Sequence, residues 1–283
     1  QYVNNQVTRT TVDLIDSKGG GIITHGTHEN DDGKTVKYYG RGLSLGSYNT
    51  LSMYGGSICG NEFDPDDGVY SHRGAGISVS SSAEFNMNGG SIWRNQAIVS
   101  DGDEGGGVYV SGTFNMYDGE ISGNNSAGGG VAVEGGVFNM TGGIITGNAA
   151  NARSSSGIRF GGGVFLGSGT VTVGGTAQIT GNVYGGKLDE TTGRYVKDDG
   201  EDKLYSFTGD SNVYLYVGDI AVSQTAPLEE GAAFGVTTNT APTSTQSCIV
   251  VTNAEESDLS YFSSDKNYKL EYDSENRQIL MTD

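Results

Sequence analysis

Apolar residues in this chain fall two apart, in short pairs separated by glycine-rich links. Val108 and Val110 flank Tyr109, and a few residues on Phe114 and Met116 flank Asn115. A period of two puts both apolar members on one face of a strand and the residue between them on the other. The segments are about three to five residues long and bounded by glycine clusters, which predicts strands and excludes helices.

The same unit recurs five times between Gly42 and Asn182. Gly42, Gly76, Gly107, Gly130 and Gly163 each open an apolar–any–apolar strand. A second apolar pair follows at Leu51/Met53, Phe85/Met87, Phe114/Met116, Phe138/Met140 and Val171/Val173. A third element carries isoleucine and, three residues on, asparagine: Ile58/Asn61, Ile92/Asn95, Ile121/Asn124, Ile145/Asn148 and Ile179/Asn182. One such unit buries nothing alone; stacked copies pair strand on strand, about 4.8 Å apart, and enclose columns of like residues. The prediction is an all-β parallel β-helix, a solenoid. Its rungs span 40–217, with a long insert at 183–211, an irregular N-terminal cap at 1–39, and terminal strands with a β-rich C-terminal cap at 218–283. The asparagines are expected to form a buried column that satisfies turn backbone. The glycine runs at 105–107, 128–130 and 161–163 read as tight corners; no Gly-Lys-Ser/Thr follows them, so they are not phosphate loops.

The pattern Gly-Gly-Gly-Val-x-Val, then Phe-Asn-Met-x-Gly-Gly-x-Ile-x-Gly-Asn, resembles the β-helical repeats of large surface proteins from Gram-positive gut bacteria. More distantly it is similar to polymorphic outer-membrane adhesins. Both belong to the pectin-lyase-like, right-handed β-helix group, and the resemblance covers roughly residues 40–217. It implies the right-handed fold and a secreted or cell-surface location, while that fold hosts lyases, hydrolases and adhesins alike.

Composition agrees with the repeat: 48 glycines, three prolines and 16 tyrosines in 283 residues suit a glycine-cornered β protein. A formal net charge of −18 argues against nucleic acid and anionic membranes as partners. No run approaches the roughly 18 apolar residues of a membrane span. The chain reads as a monomeric mature form or fragment of a larger surface protein. Cys59 and Cys248 make no disulfide framework.

Repeat spacing varies because residues are inserted after the asparagine, at 62–73, 96–104, 125–127, 149–160 and 183–211. Insertions at one phase of a solenoid emerge on one face, which makes that face the candidate site. The first insert holds Asp64, Asp66 and Asp67 with Tyr70 and Arg73, and the second holds Asp101, Asp103 and Glu104. The fourth holds Arg153 and Arg159 and no acid. An acidic wall, a dip and a basic wall would form a notch for an extended glycan.

The alternating acids Asp64, Asp66, Asp67 and Asp101, Asp103, Glu104 also have oxygen spacing that suits calcium, although neither run matches an EF-hand loop. As an enzyme the chain would be a polysaccharide lyase or glycoside hydrolase using those carboxylates. Arg73 is the nearest analogue of the arginine base of calcium-dependent pectate lyases, and of the polygalacturonase motifs only an isolated Asp-Asp occurs. His25 and His28 lack an evident third metal ligand. The run 198–202, rich in acid, reads as a solvated tip of the long insert.

Aromatic residues offer another handle. Tyr109, Phe165 and Tyr214 take the outward position of the first strand. Trp93, the only tryptophan, takes the outward position in line with Cys59, Ser122, Thr146 and Thr180. It is either a sugar-stacking platform or packing beneath a neighbouring insert. The expected function is a surface adhesin or carbohydrate-binding module, with a host-surface protein as the other partner class, using Tyr70, Trp93, Arg153 and Arg159. The alternatives are the lyase or hydrolase and a structural spacer.

Overall fold

The computed structural model describes residues 10–24, 39–63, 72–97, 105–151, 161–200, 208–216 and 222–283, with the backbone alone at 2–3, 6–7, 27–29 and 35–37. Within these residues the regular secondary structure is nearly all strand, with one 3-10 helix at Glu256–Tyr261. Equivalent strands of successive repeats lie side by side, parallel and in register. Ile77–Val79 pairs with Leu43–Leu45 on one side and with Val108–Val110 on the other. Val108 then faces Val131, Val131 faces Val164, and Val164 faces Val213.

The second set of strands stacks its apolar pair in the same way. Phe85, Phe114 and Phe138 are fully buried, with ring centroids 4.9 and 4.8 Å apart and planes 13° from parallel. That separation is the sheet spacing itself, so parallel register places one ring on the next. Met53, Met87, Met116 and Met140 fill the adjoining column, and Ile58, Ile92, Ile121, Ile145 and Ile179 a third, all at 0% exposure. These columns are the core.

The asparagine column forms as expected. The Nδ2 of Asn95 donates to the Ile58 carbonyl of the preceding repeat at 2.9 Å and to Asn124 Oδ1 of the next at 3.0 Å. The Asn95 main-chain N–H donates to that same Oδ1 at 3.0 Å. The pattern repeats at Asn61, Asn124, Asn148 and Asn182. The glycine before each first strand gives the amides room: a Cβ on Gly130 would stand 2.8 Å from Asn148 Cγ.

Parallel pairing extends beyond the repeats that carry the glycine–asparagine signature. At the N-terminal end Thr10–Leu14 runs alongside Asn49–Met53, and Ile22–Ile23 alongside Ser57–Cys59. In the tail Val222 pairs with Val251, and Phe234 pairs with Phe262 at a ring separation of 4.9 Å. The final strand, Gln278–Thr282, runs antiparallel to both Cys248–Thr252 and Lys269–Asp273. The asparagine ladder ends on Asp265, whose two carboxylate oxygens accept separately from Asn212 Nδ2 at 2.6 Å and Asn212 N–H at 2.8 Å.

A fourth set of very short strands marks where the inserts leave the body. Glu62 bridges to Gln96, Gln96–Ala97 pairs with Asn125–Ser126, that strand with Ala149–Ala150, and that with Val183–Tyr184. The five insert roots are therefore neighbours on one face.

Candidate functional site

In each repeat the third strand ends on an outward residue, turns a corner, and enters the buried asparagine. The outward and corner residues are Cys59-Gly60, Ser122-Gly123, Thr146-Gly147 and Thr180-Gly181, with one exception, Trp93-Arg94. The corner is left-handed throughout, with φ of +64°, +53°, +62°, +62° and +67° at Gly60, Arg94, Gly123, Gly147 and Gly181. Glycine adopts this conformation freely, whereas a residue with a Cβ loses about 1–2 kcal/mol there. Arg94 thus sits strained at a position where the fold elsewhere uses glycine, next to a tryptophan where the fold uses a small residue.

The long insert packs against this exception. Gly186–Asp189 pairs antiparallel with Arg194–Lys197. In the turn between them, Gly193 N–H donates to the Asp189 carbonyl at 2.8 Å. The Asp189 carboxylate accepts from Thr191 N–H at 2.9 Å and from the Thr192 hydroxyl at 3.0 Å. Those bonds, the Thr191 amide first, hold the Asp189 carboxyl below the usual carboxylate range.

This hairpin lies back along the repeats. Tyr195 N–H donates to the Gly147 carbonyl at 2.7 Å, and Asn125 Nδ2 donates to the Tyr195 hydroxyl at 3.0 Å. Arg194 pairs with Glu120 at 2.8 Å, and Arg94 with Glu190 at 3.1 Å. Burial pushes the Glu120 carboxyl up, but hydrogen bonds from Ser122 and Arg194 and the Arg194 charge outweigh it, leaving the group below its ordinary range. The approach is close enough to require glycine, since a Cβ on Gly123 would lie 2.2 Å from the Gly193 carbonyl oxygen.

Trp93 is half-buried, and the hairpin turn reaches it: a Cβ on buried Gly193 would stand 3.8 Å from Trp93 Cζ3. The insert thus covers some of the indole and leaves the rest lining two concavities. One, of about 410 Å³, is bounded by Cys59, Glu62, Arg94, Gln96 and Tyr195. The other, of about 470 Å³, is bounded by Ser91, Glu120, Ser122, Thr192 and Arg194. A flat aromatic ring flanked by guanidinium, carboxylate, amide and hydroxyl groups can stack one face of a ligand and hydrogen-bond its edge.

Several sequence expectations change. The aromatics on the outer face of the first strand are no exposed platform: Tyr109, Phe165 and Tyr214 form a second buried cluster at 7%, 0% and 2% exposure. Strand alternation assigns them to the outer face, where other chain segments cover them. The Arg73 guanidinium lies 5.0 Å over the Tyr109 ring, and the Tyr214 hydroxyl donates to Asn239 Oδ1 at 2.7 Å. Burial, with Tyr216 adding to it, pushes the Tyr214 phenol up to about 12. Asp198 is not part of a solvated tip; it is buried and pairs with Lys187 at 3.2 Å. Lys187, on the other strand of the hairpin, holds it there, and the turn of the hairpin lies at 190–193 instead.

Of the candidate residues named from sequence, Trp93 and Arg73 are described, and they stand in separate contacts. Asp64, Asp66, Asp67, Tyr70, Asp101, Asp103, Glu104, Arg153 and Arg159 lie outside the described residues, as does His25. Among the described residues no three metal-ligating side chains gather. The same residues contain no helix long and apolar enough to cross a membrane. Sequence reasoning missed Arg94, Glu190 and Tyr195. Arg94 was visible as the lone non-glycine at its corner, whereas the other two carry no local signal. No protein-family model, curated protein or solved structure matches the chain.

Proposed function

We propose that this chain is a right-handed parallel β-helix that serves as an extracellular surface module and binds a glycan on its Trp93 face. The stacked register of equivalent strands supports the fold, and the resemblance of the repeat to bacterial surface proteins supports the setting. The observation that carries the binding role is the paired exception Trp93-Arg94. At the one corner where the repeat abandons a small residue and a glycine, an indole stands between two concavities walled by hydrogen-bonding side chains. Pyranose rings present an apolar C–H face to such an indole and hydroxyls to the surrounding polar groups.

The test is native affinity electrophoresis through gels cast with a panel of polysaccharides, with and without calcium, followed by a carbohydrate stain. Retardation without clearing, abolished in Trp93→Ser, is the expected result. Clearing of the gel would instead indicate a lyase or hydrolase and direct attention to the acidic inserts. Retardation that survives Trp93→Ser would remove this face from the reading.

A further inference from the structure

Resting on the glycan reading of the Trp93 face, we propose that its ligand is a neutral polysaccharide, and that Arg94 selects it through the ion pair with Glu190. A uronate or sulfated polymer is the alternative that the same face has to reject.

The charges around the indole decide between them. Two arginines border the concavities, and each is matched by a carboxylate: Arg94 by Glu190 at 3.1 Å and Arg194 by Glu120 at 2.8 Å. Among the described residues the local balance is therefore not positive, and the chain as a whole carries −18. A polyanion would have to break both pairs and approach against that field. A neutral sugar faces no such barrier. Its hydroxyls both donate and accept, and an arginine–glutamate pair offers N–H donors beside carboxylate acceptors with no net charge. Gln96, on the same wall, supplies a donor and an acceptor in one group.

Arg94 is the residue on which selection turns. The corner geometry is satisfied by glycine in the four equivalent repeats, so the backbone does not call for arginine. Its ion pair is solvent-exposed, at 38% and 76% for the two side chains, and contributes little to folding. What the side chain adds is a guanidinium beside Trp93, held in place by Glu190 on the hairpin turn. The repeat also supplies the variants: Trp93→Ser and Arg94→Gly install residues that this corner carries elsewhere, so both are expected to fold.

The experiment uses the full chain and the emission of Trp93, which is the sole tryptophan and reports directly on its own face. Neutral oligosaccharides (β-glucan, mannan and xylan hexamers) and uronate oligomers (from polygalacturonate and alginate) are titrated separately at low salt. The expected result is a saturable change in emission with at least one neutral series and none with the uronates. In affinity gels, Trp93→Ser is expected to weaken binding at least tenfold and Arg94→Gly several-fold, with unfolding midpoints not lowered in Arg94→Gly. Saturable binding of uronates alone would overturn the neutral assignment and leave the glycan reading standing. Neutral binding unchanged in Arg94→Gly would overturn the role of the arginine. Failure of both series, in emission and in gels, would sink the glycan reading together with this one.

Discussion

Replacing Asn124 with alanine removes one link from the middle of the buried asparagine ladder, and the structure says which groups are stranded. The Ile92 carbonyl loses the Asn124 Nδ2 bond at 2.9 Å. The Asn95 main-chain N–H and one hydrogen of Asn95 Nδ2 lose Asn124 Oδ1, each at 3.0 Å. Asn148 Oδ1 keeps the Asn124 main-chain N–H at 3.0 Å, so it is not orphaned. Two buried N–H donors of Asn95 are left without their acceptor, each worth about 1–3 kcal/mol, for a total of about 2–6 kcal/mol before the lost Ile92 bond is counted. That is a large share of the whole stability of an ordinary domain, about 5–15 kcal/mol.

Asn115→Ala is the internal control. Asn115 also belongs to a ladder, donating to Asn86 Oδ1 at 2.8 Å and accepting from Asn139 Nδ2 at 2.8 Å. That ladder lies half-buried on the outer face, where water replaces a lost partner, and its loss is expected to stay within about 1 kcal/mol. Urea unfolding followed by far-UV circular dichroism and by Trp93 emission gives both comparisons. Two probes are needed because stacked repeats can unfold in parts. The reasoning is refuted if Asn124→Ala falls within about 1 kcal/mol of Asn115→Ala.

Three further outcomes are expected. Burial raises the Asp265 carboxyl above its ordinary value against the opposing bonds from Asn212 and Thr237. The native state therefore holds that proton longer, and stability falls as pH rises from the ordinary carboxyl range through the native value; a urea-midpoint series should lose this slope in Asp265→Asn. Arg94→Gly removes about 1–2 kcal/mol of corner strain and an exposed pair worth about 0–1 kcal/mol, so its thermal midpoint should hold or rise, and a clear drop would contradict the strain assignment. Burial also raises the Cys59 thiol, so pulsed alkylation read by mass spectrometry should label half-exposed Cys248 first, and a ligand on the Trp93 face should slow Cys59 further, since it lines the same concavity.

The periodic part of this architecture was legible because parallel stacking asks the same residue types of every repeat. Phe85, Phe114 and Phe138, or Ile58 through Ile179, declare their column by spacing alone. The tail was harder to read. Val222 against Val251 and Phe234 against Phe262 continue the pairing with nothing but inward apolar residues, once the glycine–asparagine corner is gone. The hairpin was not legible, because its contacts join residues far apart in the chain: Asn125 with Tyr195 are 70 residues apart, and Arg94 with Glu190 are 96. Alternation correctly put Tyr109, Phe165 and Tyr214 on the outer face, but it says nothing about what lies over that face.

In a repeated architecture each departure from the period asks for its own explanation, and those at Asp265 and at Phe165 and Tyr214 have one within the fold. Asp265 stands where an asparagine would continue the ladder, and a carboxylate suits the last position because it must accept from Asn212 and has no further asparagine to donate to. Phe165 and Tyr214 enlarge the outer residue of the first strand and are buried with Tyr109 and Ala132. Trp93-Arg94 differs from both. The indole gains only partial cover from Gly193, and the arginine accepts a left-handed backbone in exchange for an exposed ion pair. Packing and hydrogen bonding account for the first two departures and leave the third unbalanced. Local strain without a folding gain is what motivates the recognition role proposed for this corner. That inference rests on comparing five equivalent corners within one chain, which is why Arg94→Gly and Trp93→Ser, the chain's own consensus, are the variants that separate recognition from architecture.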